Sequence, residues 1–152
     1  MNTTPDRTSE TGSAASSSRS FTRFFPGIAR YVMGLPLLVF GANAFLNFIP
    51  QPETPLPEKA MAFATALMNT GYMMQLIGVT FLLVGLFLVI NRFVPLALAL
   101  FAPFMVNSIA FHFMLEPSGR IMSCIFLFLE LYLAWCYRAA YRPMLTARVN
   151  PS

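Results

Sequence analysis

Charged positions in this chain fall into clusters separated by long apolar runs. Between Arg30 and Glu53 lie 22 uncharged residues, between Lys59 and Arg92 lie 32, and between Arg92 and Glu116 lie 23. The 17 residues between Arg120 and Arg138 carry one charge, Glu130. A membrane-crossing helix needs about 20 largely apolar residues, whereas a barrel strand alternates with period two. The runs show no such alternation and predict four crossing helices, at about 31–49, 72–90, 95–115 and 121–137. The last is short for a bilayer and is expected to extend by a turn at either end.

The connections fix how these spans follow one another. Pro50, Pro52, Pro55 and Pro57 enforce a stiff, extended stretch after the first span. Residues 58–70 then lack Gly and Pro and put Ala60, Phe63 and Leu67 on one face. They are expected to form a short helix that lies on the outer interface or dips in as a re-entrant piece. The 91–94 turn can only join antiparallel neighbours. The predicted fold is therefore all-α, an integral membrane up-down four-helix bundle over residues 25–146 with a short interfacial helix in its first outer loop. Residues 147–152 form a C-terminal tail. Residues 1–24, with six serines and five threonines, are expected to be a disordered polar tail. They lack the apolar core of a signal peptide, so the first span is expected to stay in the mature protein.

Composition agrees with that reading. Of 152 residues, 57% are apolar and 11% charged, against about 45–50% and 25% in soluble domains. Mean hydropathy is +0.63. A domain this small cannot hide so many apolar side chains inside itself, which excludes an ordinary soluble enzyme and a disordered chain. The net charge of +4 does not indicate nucleic acid, because the ten basic residues are spread as topology marks. Arg7, Arg19, Arg23, Arg30, Arg92, Arg138, Arg142 and Arg148 flank one side of the spans, and only Lys59 and Arg120 the other. Both termini are expected in the cytoplasm. Cys124 and Cys136, 12 residues apart on one helix, would be about 18 Å apart, too far to bridge. They are expected to behave as small hydrophobes and do not fix the redox compartment.

Small residues mark the packing seams. Gly71, Gly78 and Gly85 recur every seven residues, and Gly34 and Gly41 repeat that spacing in the first span. Such a stripe lets helix backbones approach where lipid supplies no hydrophobic drive between helices. Pro103 and Pro36 are expected to kink their helices.

Polar side chains inside spans are costly and are functional candidates by default. They are Asn43, Asn47, Gln75, Thr80, Asn107, Ser108, His112, Ser123 and Glu130. With a rise of 1.5 Å per residue across a core of about 30 Å, Glu130 lies ~16 Å from the cytoplasmic edge and Asn43, Thr80 and Asn107 ~18 Å. Asn47, Gln75, His112 and Ser123 lie at roughly 24–27 Å. This asymmetry suggests a polar pocket that opens outward and is floored near the bilayer centre. Asn43 and Asn47 share a helix face, as do Ser108, His112 and Glu116, with Asn107 bordering the latter. Below Glu116, His112 is expected to be held as an imidazolium or in one tautomer. Glu130 has no basic residue at its depth and is expected to donate a hydrogen bond as a neutral acid, to Asn43 or Asn107. The methionines and phenylalanines read as lipid-facing and core filler. One histidine and two distant thiols do not make a metal site, no axial partner offers haem ligation, and no phosphate loop or nucleophile elbow is present.

Several strings resemble the DoxX-like family. They are Phe40-Gly41-Ala42-Asn43-Ala44-Phe45-Leu46-Asn47-Phe48, Thr70-Gly71-Tyr72, Asn91-Arg92-Phe93-Val94-Pro95-Leu96-Ala97-Leu98 and Ala102-Pro103. Val106-Asn107 followed by Phe111-His112, and Trp135-Cys136-Tyr137-Arg138 with Tyr141-Arg142-Pro143, extend the resemblance over roughly residues 26–146. It implies a four-helix protein of the bacterial inner membrane. Some relatives are subunits of thiosulfate:quinone oxidoreductase, and others belong to thiol or oxidative-stress membrane complexes. Asn43, Asn107 and His112 match polar positions of the family. Where many relatives carry histidines in the first helix, this chain has Ala44 and Asn47, and near Thr80 it lacks an acidic residue found in some relatives.

The leading expectation is a small membrane subunit with a quinone as ligand. Asn43, Asn47, Gln75, Asn107, Ser108 and His112 would line its pocket, and Glu130 would handle protons. A non-catalytic membrane partner that stabilises a larger complex, or a proton or solute pathway, are the alternatives. The expected partners are the lipid bilayer and either a redox-complex subunit or a second copy of the chain. No catalytic constellation is evident in this chain.

Overall fold

A computed structural model describes residues 14–50 and 55–143, with side chains from Phe24 onward. The regular elements among these residues are all helical. They are α1 (Ala14–Leu46), α2 (Glu58–Asn69), α3 (Met73–Val89), α4 (Val94–Met114), α5 (Arg120–Cys136) and α6 (Arg138–Tyr141), with a 3₁₀ turn at Pro117–Gly119 before α5. Three helical segments are long and apolar enough to cross a membrane: Phe24–Leu46, Val94–Met114 and Pro117–Cys136. A fourth crossing is present if α2 and α3 count as one span, broken by a 90° bend. The remainder of the expected N-terminal tail, Pro52 and the expected C-terminal tail lie outside the described residues.

Helix ends follow local chemistry more than hydropathy. The first span was expected at 31–49, but α1 begins at Ala14, within the segment read as tail, and stops at Leu46. Asn47 turns left-handed at φ 48°, a conformation asparagine tolerates better than most residues. Its amide still bonds the Asn43 carbonyl at 2.9 Å, and the Asn43 side-chain oxygen accepts the Ile49 amide at 2.7 Å. Asn43 therefore closes the helix end. Both α1 and α4 continue through the internal prolines expected to kink them, Pro36 and Pro103.

Between α2 and α3 the chain bends sharply. The Thr70 hydroxyl donates to the Leu67 carbonyl at 2.6 Å and accepts the Met73 amide at 3.1 Å. Gly71 beside it has φ +76°, where a side chain would be strained. Between α3 and α4, Asn91 and Phe93 are both left-handed, and Pro95 sits in the first turn of α4, where its missing N–H costs nothing. Two tyrosines fasten this turn from the C-terminal end. The Tyr137 hydroxyl donates to Asn91 Oδ1 at 3.2 Å, and the Tyr141 hydroxyl donates to the Pro95 carbonyl at 2.9 Å.

The most extensive packing is α1 on α3, followed by α4 on α5 and α3 on α4, with α1 also touching α5. Gly34 and Gly41 of α1 face Gly85 and Gly78 of α3. A Cβ on Gly41 would stand 2.9 Å from the Gly78 carbonyl oxygen, and one on Gly85 would stand 2.8 Å from that of Gly34. These glycines form the α1–α3 seam. Gly71 does not belong to it: nothing lies within 4 Å of its would-be Cβ, and its role is the turn. The buried core joins Met33 and Leu37 of α1, Val84 and Leu88 of α3, Ala97, Leu98, Phe101 and Met105 of α4, and Leu133 of α5. Large apolar side chains cover the exterior, among them Val106, Ile121 and Phe128, a surface suited to lipid.

Candidate functional site

The α4–α5 corner is built around Glu116. After α4 the backbone becomes extended at Glu116 (φ −137°, ψ 91°), and its side chain caps the following 3₁₀ turn. Its carboxylate accepts the amides of Ser118 and Gly119, each at 3.0 Å, and the Ser118 hydroxyl. His112 Nδ1 lies 2.9 Å from Glu116 Oε2 and 3.1 Å from the Glu116 carbonyl oxygen. Glu116 is thus buried yet saturated with donors. The Ser118 hydroxyl above all, then the Gly119 and Ser118 amides and His112, hold its pKa below the ordinary carboxylate value, against the raising effect of burial. A carbonyl and an ionised carboxylate only accept, so His112 Nδ1 carries the hydrogen. Its Nε2 has no protein partner among the described residues.

The corner also fixes the imidazole ring. A Cβ on Gly119 would fall 2.1 Å from His112 Cε1, so only glycine fits beneath the ring. Arg120 caps the end of α4, with Nε donating to the His112 carbonyl at 3.2 Å and Nη2 to that of Phe113 at 3.0 Å. Ser123, buried on the first turns of α5, donates to the Gly119 carbonyl at 3.1 Å.

Inside this corner lies a cavity of about 170 Å³ to which α1, α3, α4 and α5 all contribute. Its polar lining is Ser108, His112 and Ser123. Its apolar walls include Phe40, Phe81, Phe101, Phe104 and Phe126. Phe81 meets Phe104 edge-on at 4.6 Å between centroids and Phe101 at 5.9 Å, so the rings brace one another.

The structure thus brings together Ser108 and His112 on one α4 face and adds Ser123, whereas Glu116, expected on that face, lies beyond the end of α4 in extended backbone and meets His112 from the corner. It does not bring the other pocket candidates to them. The Asn43 side-chain oxygen is spent on the α1 end, and Asn47, Gln75 and Asn107 are exposed. Thr80 bonds its own helix through the Leu76 carbonyl at 2.9 Å. Glu130 meets neither Asn43 nor Asn107. It lines a separate groove between α4 and α5, and its Oε1 is buried with no hydrogen-bond partner. Tyr141 borders that groove, and burial, then the nearby Glu130 charge, raises the pKa of its phenol. Arg120, Gly119 and the phenylalanine walls were not anticipated. The wall residues carry a weak sequence signal: Phe101 and Phe104 precede Ser108 at helical spacings of seven and four.

No protein-family model, curated protein or solved structure matches this chain. The site must be read from its own chemistry. Both cysteines are free and exposed, and no group of three His, Cys, Asp or Glu side chains converges among the described residues. What remains is an aromatic chamber with two hydroxyls and one imidazole whose tautomer a carboxylate enforces.

Proposed function

We propose that this chain is a DoxX-like inner-membrane protein whose four spans form an up-down bundle with both termini cytoplasmic, and that it holds the head group of a quinone-type amphiphile. The observation that carries this reading is the aromatic cavity closed by the Glu116-held His112. The cavity's 170 Å³ is the volume of about five or six liquid waters, the scale of one substituted six-membered ring. Phenylalanine faces and edges suit such a ring, while the polar groups lie at one end of the chamber. With Nδ1 committed to Glu116, the imidazole tautomer that carries its hydrogen there offers Nε2 as an acceptor. It therefore suits the hydroxyl of the reduced, quinol form, and the Ser108 hydroxyl is free to donate to a ring oxygen. The ligand would supply the redox chemistry, and this chain's residues bind and orient it. The glycine stripe is engaged between α1 and α3, so a partner subunit would use another face of the molecule.

The test is thermal unfolding in detergent with short-chain quinols and quinones. The quinol is expected to raise the midpoint of the wild type and leave His112→Ala unmoved. Equal shifts in the two proteins would overturn the reading.

A further inference from the structure

Glu130 is 5% exposed, and no described residue donates a hydrogen bond to it. The other buried carboxylate among the described residues, Glu116, is bonded to His112 before the far end of α5. Glu130 lies seven residues beyond Ser123, about 10 Å further along the helix, so it is not part of the His112 chamber. It opens instead into a groove of about 450 Å³ on the outer face of the α4–α5 pair. Ala99, Ala102 and Ala134 leave room there, and Val106 and Leu131 form lipid-facing rims. The groove's second polar group is Tyr141, whose hydroxyl hydrogen is already given to the Pro95 carbonyl. Its oxygen is therefore left with acceptor capacity only. An ionised Glu130 adds two more acceptor oxygens, and the groove offers no other side-chain donor. A ligand that completes this site must bring donors, a positive charge and an apolar body.

We infer that the α4–α5 groove around Glu130 binds a lipophilic ammonium ion, an alkyl amine whose charged nitrogen meets the Glu130 carboxylate while its chain lies against the alanine-floored groove. An ammonium supplies up to three N–H donors, enough for both oxygens of the carboxylate. The proton balance is simple: a neutral amine arriving through lipid takes the proton of the carboxylic acid, and the complex holds one ammonium and one carboxylate. In the apolar phase that pair is not screened by water, so the charge match selects an amine over an alcohol of the same length.

The test uses the full chain in dodecylmaltoside micelles at fixed neutral pH. Dicyclohexylcarbodiimide, an apolar carboxyl reagent, is expected to add to Glu130, read by mass spectrometry of the peptide. Dodecylamine is expected to suppress that labelling at least tenfold and dodecanol to leave it unchanged. Dodecylamine should also raise the thermal midpoint of the wild type and of His112→Ala, but not of Glu130→Gln. Should Glu130→Gln fail to fold, the labelling competition on the wild type decides alone. Absence of labelling, equal protection by dodecanol, or an unchanged dodecylamine response in Glu130→Gln would each overturn the inference. Because His112 plays no part in it, loss of quinol binding leaves this result untouched.

Discussion

Gly78→Ala tests whether the α1–α3 seam depends on the absence of a side chain. The added Cβ would stand 2.6 Å from Ala44 Cβ, 3.0 Å from Phe45 Cε2 and 3.3 Å from the Gly41 carbonyl oxygen. Relaxed carbon–carbon contacts lie at about 3.5–4.0 Å, so the two helices must part by roughly 1 Å at this point. A gap of ~0.5–1 Å forfeits about a quarter to a half of each dispersion contact it opens. Overpacking of this kind costs about 1–3 kcal/mol. The Ala44 methyl cannot rotate away, which places Gly78→Ala in the upper part of that range. Helix propensity opposes the loss, since alanine is better than glycine in a helix interior by roughly 0.8–1.0 kcal/mol. The net expectation is a destabilisation of about 1–2 kcal/mol.

Gly27→Ala is the internal control. Its Cβ would meet only Arg30 Nη2, at an ordinary 3.7 Å. Propensity then acts unopposed, and the variant should gain up to about 1 kcal/mol. Far-UV circular dichroism during SDS titration of maltoside micelles measures both. Adding Ala44→Gly to Gly78→Ala removes the worst contact and should restore part of the loss. If Gly78→Ala is as stable as the wild type, or gains as Gly27→Ala does, the close-approach argument is wrong.

The remaining expectations concern the two ends of α5. Glu116→Gln should lower stability by about 2 kcal/mol, because it weakens charge-assisted bonds from two amides, a hydroxyl and the imidazole. The folded-state pKa of Glu116 lies below its ordinary 4.5, so its contribution is fully present above that value and is lost as pH falls through the depressed one. Acid melts of the wild type should therefore be steeper than those of Glu116→Gln. Tyr141→Phe removes the bond to the Pro95 carbonyl and should cost about 1 kcal/mol in the same SDS titration. The folded pKa of Tyr141 lies above its ordinary 10.0, so the wild type should lose stability above pH 10 and Tyr141→Phe should lose less. Gly119→Ala should displace the His112 ring and abolish any quinol-dependent thermal shift, while a distant alanine such as Gly27→Ala keeps it.

The later helices were legible because charge is scarce in their interiors, with Arg92, Glu116 and Arg120 near their ends and Glu130 the one exception in α5, whereas Arg30 lies inside α1 and does not mark its start. The third and fourth predicted spans match α4 and α5 to within a residue at each end. The end of α1 was not legible from hydropathy, since the apolar run continues through Phe48 and Ile49. A left-handed Asn47 stops the helix before the apolar residues do. Reading Asn43 and Asn47 as one helix face therefore failed for a local reason. Asn107 failed for a tertiary one. It borders the Ser108 face by spacing, but only the rotation of α4 against its neighbours puts Ser108 on the cavity and Asn107 outside. The phenylalanines were invisible as a site because composition treats them alike, and packing alone separates the five on the chamber wall from those facing outward.

The two buried carboxyls show why burial does not by itself define a role. Glu116 and Glu130 are 7% and 5% exposed, effectively equal. Glu116 sits where the chain turns, so unpaired amides are at hand, and a serine and a histidine complete its shell. Every donor it needs comes from within eight residues of sequence, and its burial is explained by the corner it holds. Glu130 sits mid-helix, where neighbouring amides are committed to the α-helical ladder and cannot serve it. Leu127, Leu131 and Ala134 around it offer nothing polar. An unsatisfied buried acid costs about 1–3 kcal/mol that the fold does not recover internally. Replacement by leucine should therefore stabilise the isolated chain, whereas Glu116→Leu should destabilise it. Opposite signs for the same substitution would identify Glu130 as the carboxyl whose partner comes from outside the chain, and a loss at both positions would refute that distinction.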